Sequence, residues 1–174
     1  MRKMVWIVAV MVVAAQSYGA MLNKGVREMS VAGEIDKTTD MNVSASARCG
    51  YYIMDFVEVG VGGGVSWLMG GDLMTLSGGA FGEYNLALDG VPNIVPYCGV
   101  AAAVTYTKLD TEWADDSNTA IEGSLYGGAK YFLLDNLAIA LQATVMAASD
   151  DIYMGDEEME AFDWVINMVT RFFF

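Results

Sequence analysis

The sequence predicts an all-β fold: an eight-stranded antiparallel up-and-down transmembrane β-barrel, preceded by a cleavable signal peptide. Three observations predict it. The chain is 55% hydrophobic, yet its only long apolar run lies at its start. Elsewhere the apolar residues alternate with polar ones, the period of strands with one greasy face. Third, the aromatic residues on the apolar parity fall into two bands, one near each end of the segments.

The start reads MRKMVWIVAVMVVAAQSYGA. Arg2 and Lys3 form a positive n-region, Met4 to Ala15 an apolar core, and small residues follow. This is the pattern of a secretory signal peptide, too short for a stable helical span. Residues 1–20 are assigned to it, with cleavage after Ser17, Gly19 or Ala20 all open, and residues 21–174 form one barrel domain. No Cys follows the apolar core, so a lipoprotein anchor is not expected.

Eight alternating segments follow. The first, about 26–35, sets Glu28, Ser30 and Glu34 against Met29, Val31 and Ile35. The second, 41–52, sets Asn42, Ser44, Ser46 and Arg48 against Val43, Ala45, Ala47, Cys49 and Tyr51. In the third, 57–67, valines at 57, 59, 61 and 65 oppose Glu58, glycines and Ser66. After Gly70-Gly71-Asp72 the fourth, 74–86, carries Thr75, Ser77, Glu83 and Asn85 on one parity. Leu88-Asp89-Gly90-Val91-Pro92 holds the breakers of a turn. The fifth, 95–107, opposes Tyr97, Thr105 and Thr107 to Cys98, Val100, Val104 and Tyr106. The sixth, 121–133, opposes Glu122, Ser124, Tyr126 and Lys130 to Ile121, Leu125, Ala129 and Tyr131. Leu134-Asp135-Asn136 turns the chain into the seventh, 137–147, and the eighth runs from Phe162 to Phe174.

The connections differ by side. The second, fourth and sixth are short and nearly uncharged, whereas the fifth and seventh are long and acidic, the asymmetry of barrels with short inner turns and longer outer loops. Tyr51, Tyr84, Tyr131, Phe172 and Phe174 form the inner aromatic band, and Trp67, Tyr106, Phe162 and Trp164 the outer one. From Trp164 to Phe174, a rise of ~3.3 Å per residue and a ~45° tilt give ~23 Å, close to the ~25 Å apolar band of a membrane barrel.

The closing strand, FDWVINMVTRFFF, resembles the C-terminal insertion signal of bacterial outer-membrane barrels, with Phe172 and Phe174 as its aromatic marks. The pieces YYIMDFVEVGVGGGVSW (51–67) and GGAKYFLLDNLAIALQ (127–142) are similar to the strand–turn–strand pattern of the small OmpA/OmpX-type barrels. That resemblance implies a location in the bacterial outer membrane, contact with its lipid and lipopolysaccharide, and delivery to the barrel-assembly machinery through the C-terminal strand. It implies no activity, because fold does not fix function, and no peptidoglycan-binding domain is expected after the last strand.

Composition narrows the chemistry. Net charge is −13, which disfavours nucleic acid as a partner. The chain has no His, which removes Ser-His and Cys-His catalysis and makes a zinc site improbable in chemical terms. No enzyme activity and no cofactor are expected. An exported chain with two Cys suggests a disulfide, but Cys49 and Cys98 fall on strands three apart around the wall, beyond the ~7 Å Cα reach of a bridge.

On the lumen-facing parity, Arg48, Glu58, Glu83, Lys130 and Arg171 are expected to form an ion-pair plug, since an eight-stranded barrel is only wide enough for side chains to fill it. Acids cluster in the outer loops, with Asp150, Asp151, Asp156, Glu157, Glu158 and Glu160 in the seventh connection and Asp110, Glu112, Asp115 and Asp116 in the fifth. The seventh-loop group is a candidate for divalent cations, alone or bridging to lipopolysaccharide, although no EF-hand spacing is present. The expected role is therefore structural or surface-interactive, with an unidentified extracellular partner. A narrow channel for small solutes is one alternative. A soluble lipocalin-like barrel, with its apolar parity facing inward around a ligand, is the other.

Overall fold

A computed structural model describes residues 22–37, 41–69, 73–86, 88, 91, 93–111, 114–154 and 159–174. The proposed signal peptide, residues 1–20, lies outside them. The strands are β1 (Arg27–Lys37), β2 (Met41–Met54), β3 (Val57–Met69), β4 (Leu73–Asn85), β5 (Ile94–Thr111), β6 (Ala114–Leu134), β7 (Leu137–Ala148), β8 (Tyr153–Met154), β9 (Met159–Glu160) and β10 (Phe162–Phe173). Eight of them close a barrel in the order β1-β10-β7-β6-β5-β4-β3-β2, and β8 and β9 make a separate two-stranded sheet within the outer loop.

All neighbours in the barrel are antiparallel, and closure comes from β1 against β10, with Glu28 opposite Phe173 and Ser30 opposite Arg171. Main-chain bonds between Arg27 and Phe174 in both directions, 3.0 and 2.9 Å, tie the two ends of the wall. Closure leaves the eight-stranded wall without a first or last strand, so its lipid-embedded part has no sheet edge, as a backbone in lipid requires.

Two strands differ from the periodicity. β5 runs on to Thr111 and β6 begins at Ala114, seven residues before the alternation starts at Ile121. This upper part of β6 pairs with β5 alone, because β7 joins only from Glu122 onward. Above the apolar band nothing selects an apolar parity, so Asp115, Asp116, Ser117 and Asn118 conceal the strand.

Side-chain exposure follows the pleat. Val61, Leu125, Leu141, Trp164 and Met168 point outward and are more than 60% exposed. Glu58, Glu83, Lys130 and Arg171 point inward and are at most 3% exposed. Apolar outside and charged inside is the arrangement of a barrel in lipid. A lipocalin-like barrel requires the reverse, and this exposure pattern overturns it. Tyr51 and Phe174 stand exposed at the inner end, and Trp67 and Trp164 at the outer end.

The chain before β1 has a role the periodicity did not reveal. Leu22 lies under the inner mouth of the barrel, wholly buried, packed in one cluster with Tyr52, Val95, Phe132, Ala138 and Phe173. Val26 and Phe56 lean on the same cluster. The segment is strapped to the β2–β3 turn: Phe56 N–H donates to Leu22 O (2.8 Å), Gly25 N–H to Tyr52 O (2.9 Å) and Lys24 N–H to Asp55 Oδ1 (2.9 Å). Phe56 adopts a left-handed backbone (φ 66°), unusual for a non-glycine residue. Its carbonyl also accepts the Asn85 N–H (2.8 Å), so bonds on both sides hold that conformation.

Cys49 on β2 and Cys98 on β5 are free and exposed on the outer wall. An intact mass taken without reductant should show both thiols unbridged. If the outer wall faces lipid, Leu141→Arg at mid-height should destabilise the vesicle-embedded protein by ~2–4 kcal/mol in denaturant titration. A water-facing wall would tolerate the same change.

Candidate functional site

The site is the interior of the barrel, and it is layered. Directly above the apolar cluster, Glu28 from β1, Glu83 from β4, Lys130 from β6 and Arg171 from β10 meet across the lumen. Lys130 Nζ lies 2.8 Å from Glu28 Oε2 and 2.7 Å from Glu83 Oε1. Arg171 Nη1 lies 2.6 Å from Glu28 Oε1 and 3.1 Å from Glu83 Oε2. Each base thus bridges both acids, and each acid both bases, with all four side chains nearly inaccessible.

Polar neighbours supply further partners. Tyr52 Oη donates to Glu28 Oε2 (2.9 Å) and accepts from Lys130 Nζ (3.1 Å). Arg171 Nη2 and Tyr97 Oη both donate to Gln142 Oε1 at 3.2 Å, and Gln142 Nε2 donates to Thr144 Oγ1 at 3.0 Å. The Arg171 guanidinium also lies 4.4 Å from the Tyr97 ring centroid, and Lys130 sits between the rings of Tyr52, Tyr97 and Phe173 at 5.4–5.8 Å. A positive charge over a ring face is attracted by the quadrupole, more strongly where water is excluded.

Of the five residues expected to form the plug, the structure brings Glu83, Lys130 and Arg171 together and adds Glu28. Glu58 is adjacent but differently placed. It pairs across the strands with Glu83 and is 1% exposed. Gly50 makes room for it, since a Cβ there would lie 2.8 Å from Glu58 Cγ. Oxygens of Glu28, Glu58 and Glu83 lie within 4.8 Å of one another, yet Glu58 Oε2 has no hydrogen-bond partner among the described residues. Among the described residues Glu58 has no ion pair, so the group holds three acids and two bases. Such a trio could in principle hold a cation, but the oxygens of Glu28 and Glu83 are already engaged by Lys130 and Arg171.

Arg48 stands apart from the quartet. It pairs with Gly62 on β3, while Glu58 pairs with Tyr52 four residues further along β2. Its guanidinium reaches over the rings of Tyr126 (4.9 Å) and Phe81 (5.6 Å) and makes no ion pair among the described residues. Gly99 accommodates the Tyr126 ring, which a Cβ at that position would overlap. Glu28 lay on the lumen-facing parity from the start, and only the closure of β1 on β10 puts it beside Arg171.

In the outer loop, Asp150, Asp151 and Glu160 are solvent-exposed. Asp156, Glu157 and Glu158 lie outside the described residues. Phe172 and Phe174 of the proposed insertion signal sit on the lipid-facing side of β10's end, and Phe173 between them belongs to the apolar cluster.

The charge count yields a contrast that stability measurements can read. Glu28→Gln or Glu83→Gln breaks a buried pair and should cost ~3–5 kcal/mol. Glu58→Gln removes the surplus acid and should leave the melting temperature unchanged or raised. Equal destabilisation by all three would place Glu58 inside the paired network.

No family model matches the chain, and no curated protein matches it by sequence. Solved structures do. The N-terminal β-barrel domain of Pseudomonas aeruginosa OprF is similar with a TM-score of 0.64 at 14% identity, over 87% of this chain and 98% of that one. Neisserial surface protein A is similar with a TM-score of 0.61 at 14% identity, over 84% and 94%. Ail, the attachment invasion locus protein of Yersinia pestis, is similar with a TM-score of 0.52 at 10% identity, over 87% and 99%. At such identities the likeness is one of fold. By fold, this chain is a small eight-stranded β-barrel of the bacterial outer-membrane type.

Proposed function

We propose that the protein is a non-enzymatic, non-conducting barrel of the bacterial outer membrane with a structural or surface-interaction role. The observation that carries this reading is the double closure of the inner half of the lumen. The charged quartet spans it, and the apolar layer of Leu22, Tyr52, Val95, Phe132, Ala138 and Phe173 lies beneath. A solute would have to separate buried ion pairs and an apolar seal in succession.

Several features support the rest. With no His in the sequence, no Ser-His or Cys-His pair can form, and both thiols face lipid. The outer side offers the β5–β6 hairpin, the β8–β9 hairpin and the acidic loop residues as contact surface. Two similar structures carry names that refer to surface location and attachment. Removal of residues 1–20, insertion through Phe172 and Phe174 by the assembly machinery, and divalent-cation bridging from the seventh-loop acids to lipopolysaccharide complete the proposal.

Planar-bilayer recording tests it. The unmodified protein should show no steady conductance. Glu83→Gln alone should leave the apolar seal in place and stay silent, with leak appearing only when Phe132 and Phe173 are also cut to Ala. A large, stable conductance in the unmodified protein would overturn the plug and establish the channel.

A further inference from the structure

Above the quartet the lumen opens into a cavity of about 100 Å³. Its framework is one row of paired residues running across five strands: Arg48, Gly62, Gly79, Ala103 and Glu122. The middle three are small, so the row sags into a trough with a charge at each end. Arg48 on β2 and Glu122 on β6 both line this cavity, the Arg48 guanidinium at the height of Tyr126 and Glu122 four residues nearer the outer end of β6.

Both charges are available. The Arg48 guanidinium is braced against the Tyr126 and Phe81 rings and makes no ion pair among the described residues, so its N–H groups can donate to a planar acceptor such as a carboxylate. Among the described residues Glu122 accepts one long bond, from Thr105 Oγ1 at 3.4 Å. The hydroxyls of Ser46, Ser77 and Ser124 line the space between. The cavity is smaller than the ~150 Å³ that admits benzene, so it suits a molecule of a few non-hydrogen atoms.

We propose that this outer vestibule is a binding site for a small zwitterion of amino-acid type, its carboxylate held by Arg48 and its ammonium facing Glu122. A simple anion would satisfy Arg48 but meet Glu122 and the acidic loops. A simple cation would meet Arg48. A molecule with both charges answers both walls and approaches as a neutral species. The inner half of the lumen is sealed, so the site is a dead end reached from the outer side and separate from any conduction.

The test is titration of the detergent-solubilised protein with glycine, acetate and methylammonium, followed by amide NMR shifts of Ser46, Ser77 and Ser124. Glycine should saturate in the millimolar range and bind more tightly than either single-charge probe. Arg48→Gln should weaken glycine binding about tenfold or more, the scale of a lost charge-assisted hydrogen bond. Ala103→Leu, which fills the trough and leaves Arg48 in place, should also abolish it, and Glu122→Gln should shift preference toward acetate. Unchanged heat stability of each variant guards against a folding artefact. Absence of saturation by about 100 mM, acetate or methylammonium binding as well as glycine, or an Arg48→Gln variant that binds normally would overturn the site.

Discussion

Lys130 and Arg171 are carried into the centre of a narrow barrel, and everything around them answers that placement. A buried cation without a partner is costly by several kcal/mol. Here Glu28 and Glu83 each contact both bases. The four residues come from β1, β4, β6 and β10, so the network joins strands that share no backbone ladder except at the β1–β10 seam. It therefore acts as an internal cross-brace. It also specifies the closure: a one-residue slip of β10 against β1 would turn Arg171 toward lipid and leave Lys130 alone to answer both Glu28 and Glu83.

The rest of the lumen is graded from that layer. Toward the inner end the side chains become apolar, and Leu22 and Phe56 come in from outside the strands to finish the seal. Toward the outer end they become small. Glycine and alanine on β3, β4 and β5 leave space where the quartet fills it, and Arg48 marks the boundary. This gradient makes the two ends of one barrel chemically different, one closed and one hollow. A closed layer and a hollow one can therefore coexist in an eight-stranded wall, because each occupies only part of its height.

Much of this was legible in the chain. Period-two alternation located all eight barrel strands, because each has one face against lipid and one against the lumen. It also assigned Glu58, Glu83, Lys130 and Arg171 to the interior. The upper part of β6 was not legible, since residues 114–120 lie above the lipid and carry no alternation. Leu22 was not legible either. A single apolar residue before the first strand has no period to betray it.

The amino-acid sequence by itself determined the parity of every strand, and with it the charged interior, the lipid-facing aromatics and the separation of Cys49 from Cys98. Those properties depend on local alternation and strand count alone. Only the tertiary structure decided which inward charges meet. Parity says that Arg48 and Glu28 both face the lumen but not at what height, and height depends on the stagger of strands around the closed wall. That stagger lifted Arg48 away from the acids, brought Glu28 from the first strand to Arg171 on the last, and left Glu58 as the surplus carboxyl beside them.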